Sequence, residues 1–99
     1  MTEDVLLAFD GGGSYTRAGV YDADGVLLAE GEGPGCNPVA YGMPACIDAL
    51  ISAGRSALAQ AGCTATRIAA GISGAGGAGS GEIIGAALCA GLGAREAFI

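Results

Sequence analysis

Near its amino end the chain reads Phe9-Asp10-Gly11-Gly12-Gly13-Ser14-Tyr15-Thr16-Arg17, a glycine-rich segment between two apolar runs. The run before it ends in an acid, and the run after it, residues 18–22, is followed by the turn pair Asp24-Gly25. Because both runs have the composition of β-strands, we expect the glycines to lie at the tip of a β-hairpin.

The predicted hairpin tip carries groups that suit a phosphate. Consecutive glycines let backbone N–H groups approach an anion closely, and Ser14 and Thr16 add hydroxyl donors. Asp10 offers the hard oxygen ligand that magnesium requires, although an aspartate can also simply end a strand. Since an acid would repel a phosphate unless a cation lay between them, the combination predicts a site for Mg-ATP.

Three segments in order give the chain a family resemblance. Residues 10–17 resemble the first phosphate motif of the actin, hexokinase and heat-shock chaperone superfamily, and more narrowly that of the BadF/BadG/BcrA/BcrD-type ATPase and N-acetylglucosamine kinase family. Gly33-Pro34-Gly35-Cys36-Asn37-Pro38 resembles that family's sugar-contact segment, and Gly71-Ile72-Ser73-Gly74-Ala75-Gly76 is similar to its strand-end Ser-Gly-x-Gly. The resemblance extends over nearly the whole chain.

The resemblance implies the residues of two binding sites. It implies that Asp10 holds Mg²⁺, mostly through water, and that the hairpin faces the β- and γ-phosphates of ATP with Gly12, Gly13, Ser14 and Thr16. It also implies amino-sugar contacts by Gly35, Asn37, Ser73 and Gly74.

Two residues of these segments have alternative interpretations, and a third departs from the family pattern. Asn37 is either a plain turn residue or a side chain that holds two sugar hydroxyls through its amide donor and acceptor. Arg17 either serves the site or pairs with Asp22 or Glu32 on a neighbouring strand. Tyr15 stands where the family often has lysine, which removes one expected phosphate contact.

The function implied by the resemblance is that of an ATP-dependent amino-sugar kinase of carbohydrate metabolism, similar to N-acetylglucosamine or glucosamine kinases. A BadF-type ATPase that drives a partner enzyme, or a non-catalytic sugar sensor, is the alternative. In the resembled family the catalytic acid follows the strand that begins here at Ala97, so we expect the general base beyond Ile99. Residues 1–99 would then be an incomplete N-terminal actin-like ATPase domain that lacks its second domain and is inactive alone.

The composition of the chain argues against some classes of partner and favours one cellular location. Ten acidic residues against four arginines give a formal net charge of −6, which disfavours nucleic acid and anionic membranes. No apolar stretch approaches the roughly 20 residues of a membrane span, and the acidic start is unlike a secretory signal, so we expect a cytoplasmic protein. The cysteines (Cys36, Cys46, Cys63 and Cys89) lack metal-site spacing and are predicted to be buried thiols.

The order of elements predicts an α/β fold. Strands are expected at 5–10, 18–22, 26–32, 67–72 and 94–99, and helices at 43–61 and 82–90, with 33–42 as a loop. The order βββαβαβ gives a mixed sheet flanked by helices, with its first strand covered on both faces. By resemblance this is a ribonuclease-H-like half of an actin-type ATPase, truncated in its last strand. An apolar face exposed by the missing domain would allow a homo-oligomer.

The third motif also contains a dinucleotide-like pattern. Gly74, Gly76 and Gly79 have the required spacing, and Glu96 follows 20 residues after Gly76. In a dinucleotide site the acid ends the second strand, whereas Glu96 precedes the apolar residues of its strand. We therefore favour a place for this loop in the sugar pocket.

Overall fold

The computed structural model describes residues 4–77 and 79–99 and contains a five-stranded sheet in the order β3-β2-β1-β4-β5. The elements in chain order are β1 (Leu6–Gly11), β2 (Tyr15–Tyr21), β3 (Leu27–Pro34), α1 (Pro38–Tyr41), α2 (Met43–Ala61), β4 (Arg67–Ile72), α3 (Ser80–Leu92) and β5 (Glu96–Phe98). The first three strands are antiparallel, and β4 and β5 run parallel to β1. The predicted α/β fold with a mixed sheet and flanking helices is confirmed.

The glycine-rich segment is a hairpin with a shorter tip than predicted. β1 continues to Gly11 and β2 begins at Tyr15, three residues before the predicted start. Gly11 pairs with Thr16, and the Gly12 N–H donates to the Tyr15 carbonyl over 3.0 Å. Only residues 12–14 therefore form the turn, and the side chains that follow alternate from Tyr15 onward.

The predicted loop 33–42 contains a helix that the sequence reading missed. α1 occupies its second half, and β3 extends to Pro34 in its first half. A four-residue helix is too short for hydrophobic periodicity, and none of its residues is buried. The signal that could have revealed it is Asn37 before Pro38, because asparagine caps helices and proline suits the first helical position.

Strand β1 is covered on one face by the described residues, not on both as predicted. Val5, Leu7 and Phe9 are buried towards the helices, whereas Leu6 is 37% exposed and Asp10 is also exposed. The helices α2 and α3 contact each other and form one layer on the buried face of the sheet. In the described part of the chain, no helix is long and apolar enough to cross a membrane.

Helix α2 packs its backbone directly against β3. A Cβ atom on Gly31 would overlap the Ala53 carbonyl oxygen and lie 2.9 Å from the Ala57 nitrogen. A Cβ atom on Gly33 would lie 2.9 Å from the Ala49 carbonyl oxygen. Real Cβ atoms do not approach backbone atoms so closely. Helix α2 can therefore lie this close to β3 only if residues 31 and 33 are glycines.

We expect Gly31→Ala to destabilise the fold by about 1–3 kcal/mol, because the added methyl group must push α2 away from the sheet. The measurement is the free energy of unfolding in urea. Gly71→Ala is the matched control, since Gly71 also lies in a strand and an added Cβ atom would meet nothing within 4 Å. Equal effects of the two substitutions would contradict the packing argument.

Candidate functional site

The hairpin tip forms one wall of a small cavity. The cavity has a volume of about 230 Å³ and is lined by Asp10, Gly12, Gly13, Ser14 and Tyr15. The Asp10 side chain is exposed at the carboxyl end of β1, beside the turn. The structure therefore brings together the predicted metal ligand and three of the four predicted phosphate-binding residues.

Thr16 takes a different position from the predicted one. Its side chain is fully buried, and its hydroxyl donates a hydrogen bond of 2.8 Å to the Pro34 carbonyl. Because side chains alternate along β2, Thr16 points to the helix layer while its neighbours point away from it. Thr16 thus joins β2 to the Gly-Pro segment and does not line the cavity.

Arg17 and Tyr15 lie together on the open face of the sheet. The Arg17 guanidinium lies 5.1 Å from the centre of the Tyr15 ring, a cation–π distance. In the strand register Arg17 stands opposite Asp10 and Glu32. Among the described residues it forms no ion pair with these acids or with Asp22, so the predicted pairing is not observed.

The third motif meets the hairpin and the Gly-Pro segment at one edge of the sheet. The Ser73 N–H donates to the Gly11 carbonyl over 2.8 Å, which extends the β1–β4 pairing. A Cβ atom on Gly74 would lie 2.7 Å from Asn37 Cγ, and the Gly74 φ of 77° also favours glycine. The Asn37 side chain therefore lies directly against Gly74.

Gly35 brings the Gly-Pro segment against the hairpin tip. A Cβ atom on Gly35 would lie 2.9 Å from both the Gly13 carbonyl carbon and the Tyr41 ring, which leaves no room for a side chain. The Cys36 N–H donates to the Gly12 carbonyl over 3.0 Å. All four predicted sugar-contact residues, Gly35, Asn37, Ser73 and Gly74, thus lie near the glycine turn.

Asn37 has a local backbone role, as the turn interpretation implied, and its contact with a sugar stays a prediction. Its Oδ1 atom accepts hydrogen bonds from the Val39 and Ala40 N–H groups, at 2.9 and 3.2 Å, and so caps α1. The acceptor end of the amide is therefore engaged locally. Its Nδ2 group has no hydrogen-bond acceptor among the described residues, so the donor end is available to a ligand.

Tyr41 is a site residue that sequence reasoning missed. From the last position of α1, its hydroxyl donates a hydrogen bond to the Gly13 carbonyl. The two residues are 28 positions apart, and no local pattern connects them. Recognition of α1 from its Asn-Pro start would have placed Tyr41 near the hairpin.

Two fully buried thiols support the hairpin from behind. A Cβ atom on Gly11 would overlap the Cys36 sulfur, and Cys46 on α2 is fully buried as well. Burial, followed by the charge and hydrogen bond of Cys36, raises the pKa of Cys46 to about 12. The prediction of buried thiols is confirmed for this pair, whereas Cys63 and Cys89 are half-buried.

Glu96 lies away from the glycine loop, as predicted. It is the first residue of β5, and its carboxylate is 2.9 Å from the Nε atom of Arg67, the first residue of β4. Ser73 and Gly74 follow the opposite end of β4. This separation does not fit a dinucleotide site, in which the acid stands beside the glycine loop.

Comparison with known proteins connects this chain to a kinase. No family model matches the chain, and no curated protein matches it. Among solved structures, it is similar to a Chromobacterium violaceum protein described as a putative N-acetylglucosamine kinase, with 32% sequence identity and a TM-score of 0.62. The match covers 74% of this chain and 27% of that protein, so the chain spans about a quarter of its length. The similarity supports a related family and a sugar-kinase-like fold; the BadF-type assignment stays a prediction.

The shifted pKa of Cys46 predicts a loss of stability at high pH. The folded pKa of about 12 lies above the ordinary value of 9.0, so the folded state holds this proton more tightly than the unfolded chain. The resulting stabilisation is complete below pH 9 and is lost as the pH rises towards 12. Each pH unit between 9 and 12 lowers the free energy of unfolding by at most about 1.4 kcal/mol.

Cys46→Ala tests this pKa shift. The gap in unfolding free energy between wild type and variant should narrow by about 1–2 kcal/mol from pH 9 to pH 11, because only the wild type has this thiol to titrate. Ile47→Val, at the next position of α2, is the control because it removes a methyl group and no titratable group. A gap that is constant with pH in Cys46→Ala would show that the buried thiol is not shifted.

Proposed function

We propose that this chain forms one wall of the cleft of an ATP-dependent amino-sugar kinase, which transfers the γ-phosphoryl group of ATP to a hydroxyl of an N-acetylglucosamine-like or glucosamine-like sugar. The observation that carries the proposal is the contact of the Gly-Pro segment with the other two motifs. Gly35 lies against the Gly13 carbonyl, and Asn37 lies against Gly74. The similarity to the Chromobacterium violaceum protein supports the same function.

The contact between the motifs matters because phosphoryl transfer is mainly a problem of position. The sugar hydroxyl and the γ-phosphorus must be held close and in line before reaction. A sugar bound by the Asn37 Nδ2 group would lie beside the turn of residues 12–14, which is the part of the hairpin suited to phosphate. Two ligands bound at these segments would therefore be neighbours.

The residues at the cavity fit magnesium that is bound together with a nucleotide. Mg²⁺ commonly binds through one or two carboxylates and the phosphates of the substrate, and it keeps several waters. Asp10 provides one exposed carboxylate at the cavity, beside the N–H groups of the turn. When bound, the ion would neutralise charge on the transferring phosphate.

The chain's own residues would then bind and orient both substrates. The Gly13 and Ser14 N–H groups and the Ser14 hydroxyl would donate hydrogen bonds to phosphate oxygens. The Asn37 Nδ2 group would donate to a sugar hydroxyl, while its Oδ1 atom holds α1 in place. The general base stays a prediction, for residues beyond Ile99.

Asp10→Asn tests the metal site in the protein at its full natural length. The substitution keeps the size of the side chain and removes the charge, so kcat should fall about 10²–10³-fold and Mg-ATP should bind more weakly. The melting temperature should hardly change, because Asp10 is exposed. Asp48→Asn is the control, since it makes the same charge change on the exposed side of α2. Normal turnover in Asp10→Asn would show that Asp10 holds no catalytic metal ion.

Asn37→Ser and Asn37→Ala separate sugar binding from helix capping. Serine is a good helix cap but lacks the amide donor, whereas alanine lacks both groups. If Nδ2 holds a sugar hydroxyl, both variants should raise the sugar KM by about 5- to 100-fold, the equivalent of about 1–3 kcal/mol. The Kd of the nucleotide without sugar should be little changed in Asn37→Ser, and only Asn37→Ala should lose thermal stability.

The pattern of KM values distinguishes the proposed kinase from its alternatives. A normal sugar KM in Asn37→Ser together with an impaired Asn37→Ala would reduce Asn37 to a capping residue. ATP hydrolysis that depends on a protein partner and ignores every amino sugar would favour the BadF-type ATPase. Binding of sugar without phosphorylation would favour the sensor.

A further inference from the structure

The Gly-Pro segment and α1 bind two successive carbonyl groups of the hairpin tip. The Gly12 carbonyl accepts a hydrogen bond from the Cys36 N–H over 3.0 Å, and the Gly13 carbonyl accepts one from the Tyr41 hydroxyl. Successive carbonyls in an extended strand point to opposite sides. One segment can bind both the Gly12 and the Gly13 carbonyl only because the turn departs from extended geometry.

This arrangement determines where the next two N–H groups point. In a planar trans peptide the C=O and N–H bonds point in opposite directions. With the Gly12 and Gly13 carbonyls held by the segment 36–41, the N–H groups of Gly13 and Ser14 point away from it. Neither N–H has an acceptor among the described residues, and both residues line the cavity. Two adjacent N–H groups of this kind form a concave site for an anion.

We propose that Tyr41 is a positioning residue, which holds the Gly13–Ser14 peptide in the orientation that binds phosphate and couples sugar binding to nucleotide binding through α1. The inference rests on the proposed function, because it assumes a sugar at Asn37 and a nucleotide phosphate at the hairpin. Tyr41 itself would touch neither reacting atom; it would act through the Gly13 carbonyl.

The weakness of α1 explains why the two sites would be coupled. The helix has four residues, none of them is buried, and Val39 is 83% exposed, so the core does not hold it. So short a helix is marginal alone and depends on its Asn37 cap and its Tyr41 anchor. A sugar bound to Asn37 Nδ2 would favour the capped helix, and thereby the Tyr41–Gly13 hydrogen bond. Thermodynamic reciprocity requires the nucleotide to favour sugar binding by the same factor.

Tyr41→Phe tests the inference, because it keeps the ring and removes only the hydroxyl group. Calorimetry on the protein at its full natural length gives the Kd of the magnesium complex of a non-hydrolysable ATP analogue, with and without saturating N-acetylglucosamine. In the wild type we expect the sugar to tighten nucleotide binding by about 5-fold or more. In Tyr41→Phe this factor should fall towards 1, while the Kd of the sugar alone rises by no more than about the wild-type coupling factor, since Asn37 is unchanged and α1 loses only its anchor.

A second measurement needs no substrate. In the Tyr41→Phe variant the ¹³C resonance of the Gly13 carbonyl should move, because its hydrogen bond is lost. Tyr21→Phe is the matched control: it also removes one tyrosine hydroxyl, from the far end of β2, and should leave the Gly13 resonance and the coupling factor unchanged.

The outcomes separate the inference from the proposed function. If the wild type binds the nucleotide but no amino sugar, the proposed function fails, and the coupling fails with it. If the wild type binds both and Tyr41→Phe retains the coupling factor, the positioning role alone fails. A large fall in melting temperature with equal loss of both affinities would also overturn it, because that is the behaviour of a merely structural residue.

Discussion

The close contact between the α2 backbone and β3 is the constraint on which the rest of the structure depends. Gly31 and Gly33 carry no side chains, so the helix lies against the strand at the distance of backbone atoms. This contact sets the distance between β3 and α2. It therefore also sets the span that the chain must cross between Pro34 and the start of α2. A bulkier strand would push α2 away from the sheet, and the segment that joins β3 to α2 would have to shift with the helix.

From that point, a series of short contacts brings the segment to the glycine turn. The buried Thr16 hydroxyl holds the Pro34 carbonyl, the Cys36 N–H holds Gly12, and Tyr41 holds Gly13. The cavity at the hairpin tip is thus shaped by residues that do not line it. Its N–H donors come from the hairpin, but their direction comes from the segment beside the hairpin.

The sequence predicted what is local and missed what depends on exact strand boundaries or on distant contacts. The hairpin, and the places of Asp10 and the turn residues at its tip, were predictable because glycines between two apolar runs have few other arrangements. The burial of the Thr16 side chain was not foreseen because β2 begins at Tyr15, and the start of a strand decides which side chains face the core. Tyr41 was missed because α1 shows no hydrophobic periodicity and its contact with Gly13 spans 28 positions.

The geometry also limits how far the three motifs can vary independently. Gly35 must lack a side chain because the Gly13 carbonyl occupies its space, and Gly74 must lack one because Asn37 does. Under the proposed function, a change of sugar specificity made at Asn37 would alter the cap of α1, and through Tyr41 it would alter the turn proposed to bind phosphate. A pocket reshaped for another sugar would have to keep an α1 cap and a donor to the Gly13 carbonyl. Variation in substrate is therefore more compatible with changes around Ser73, whose backbone alone is bonded to the hairpin.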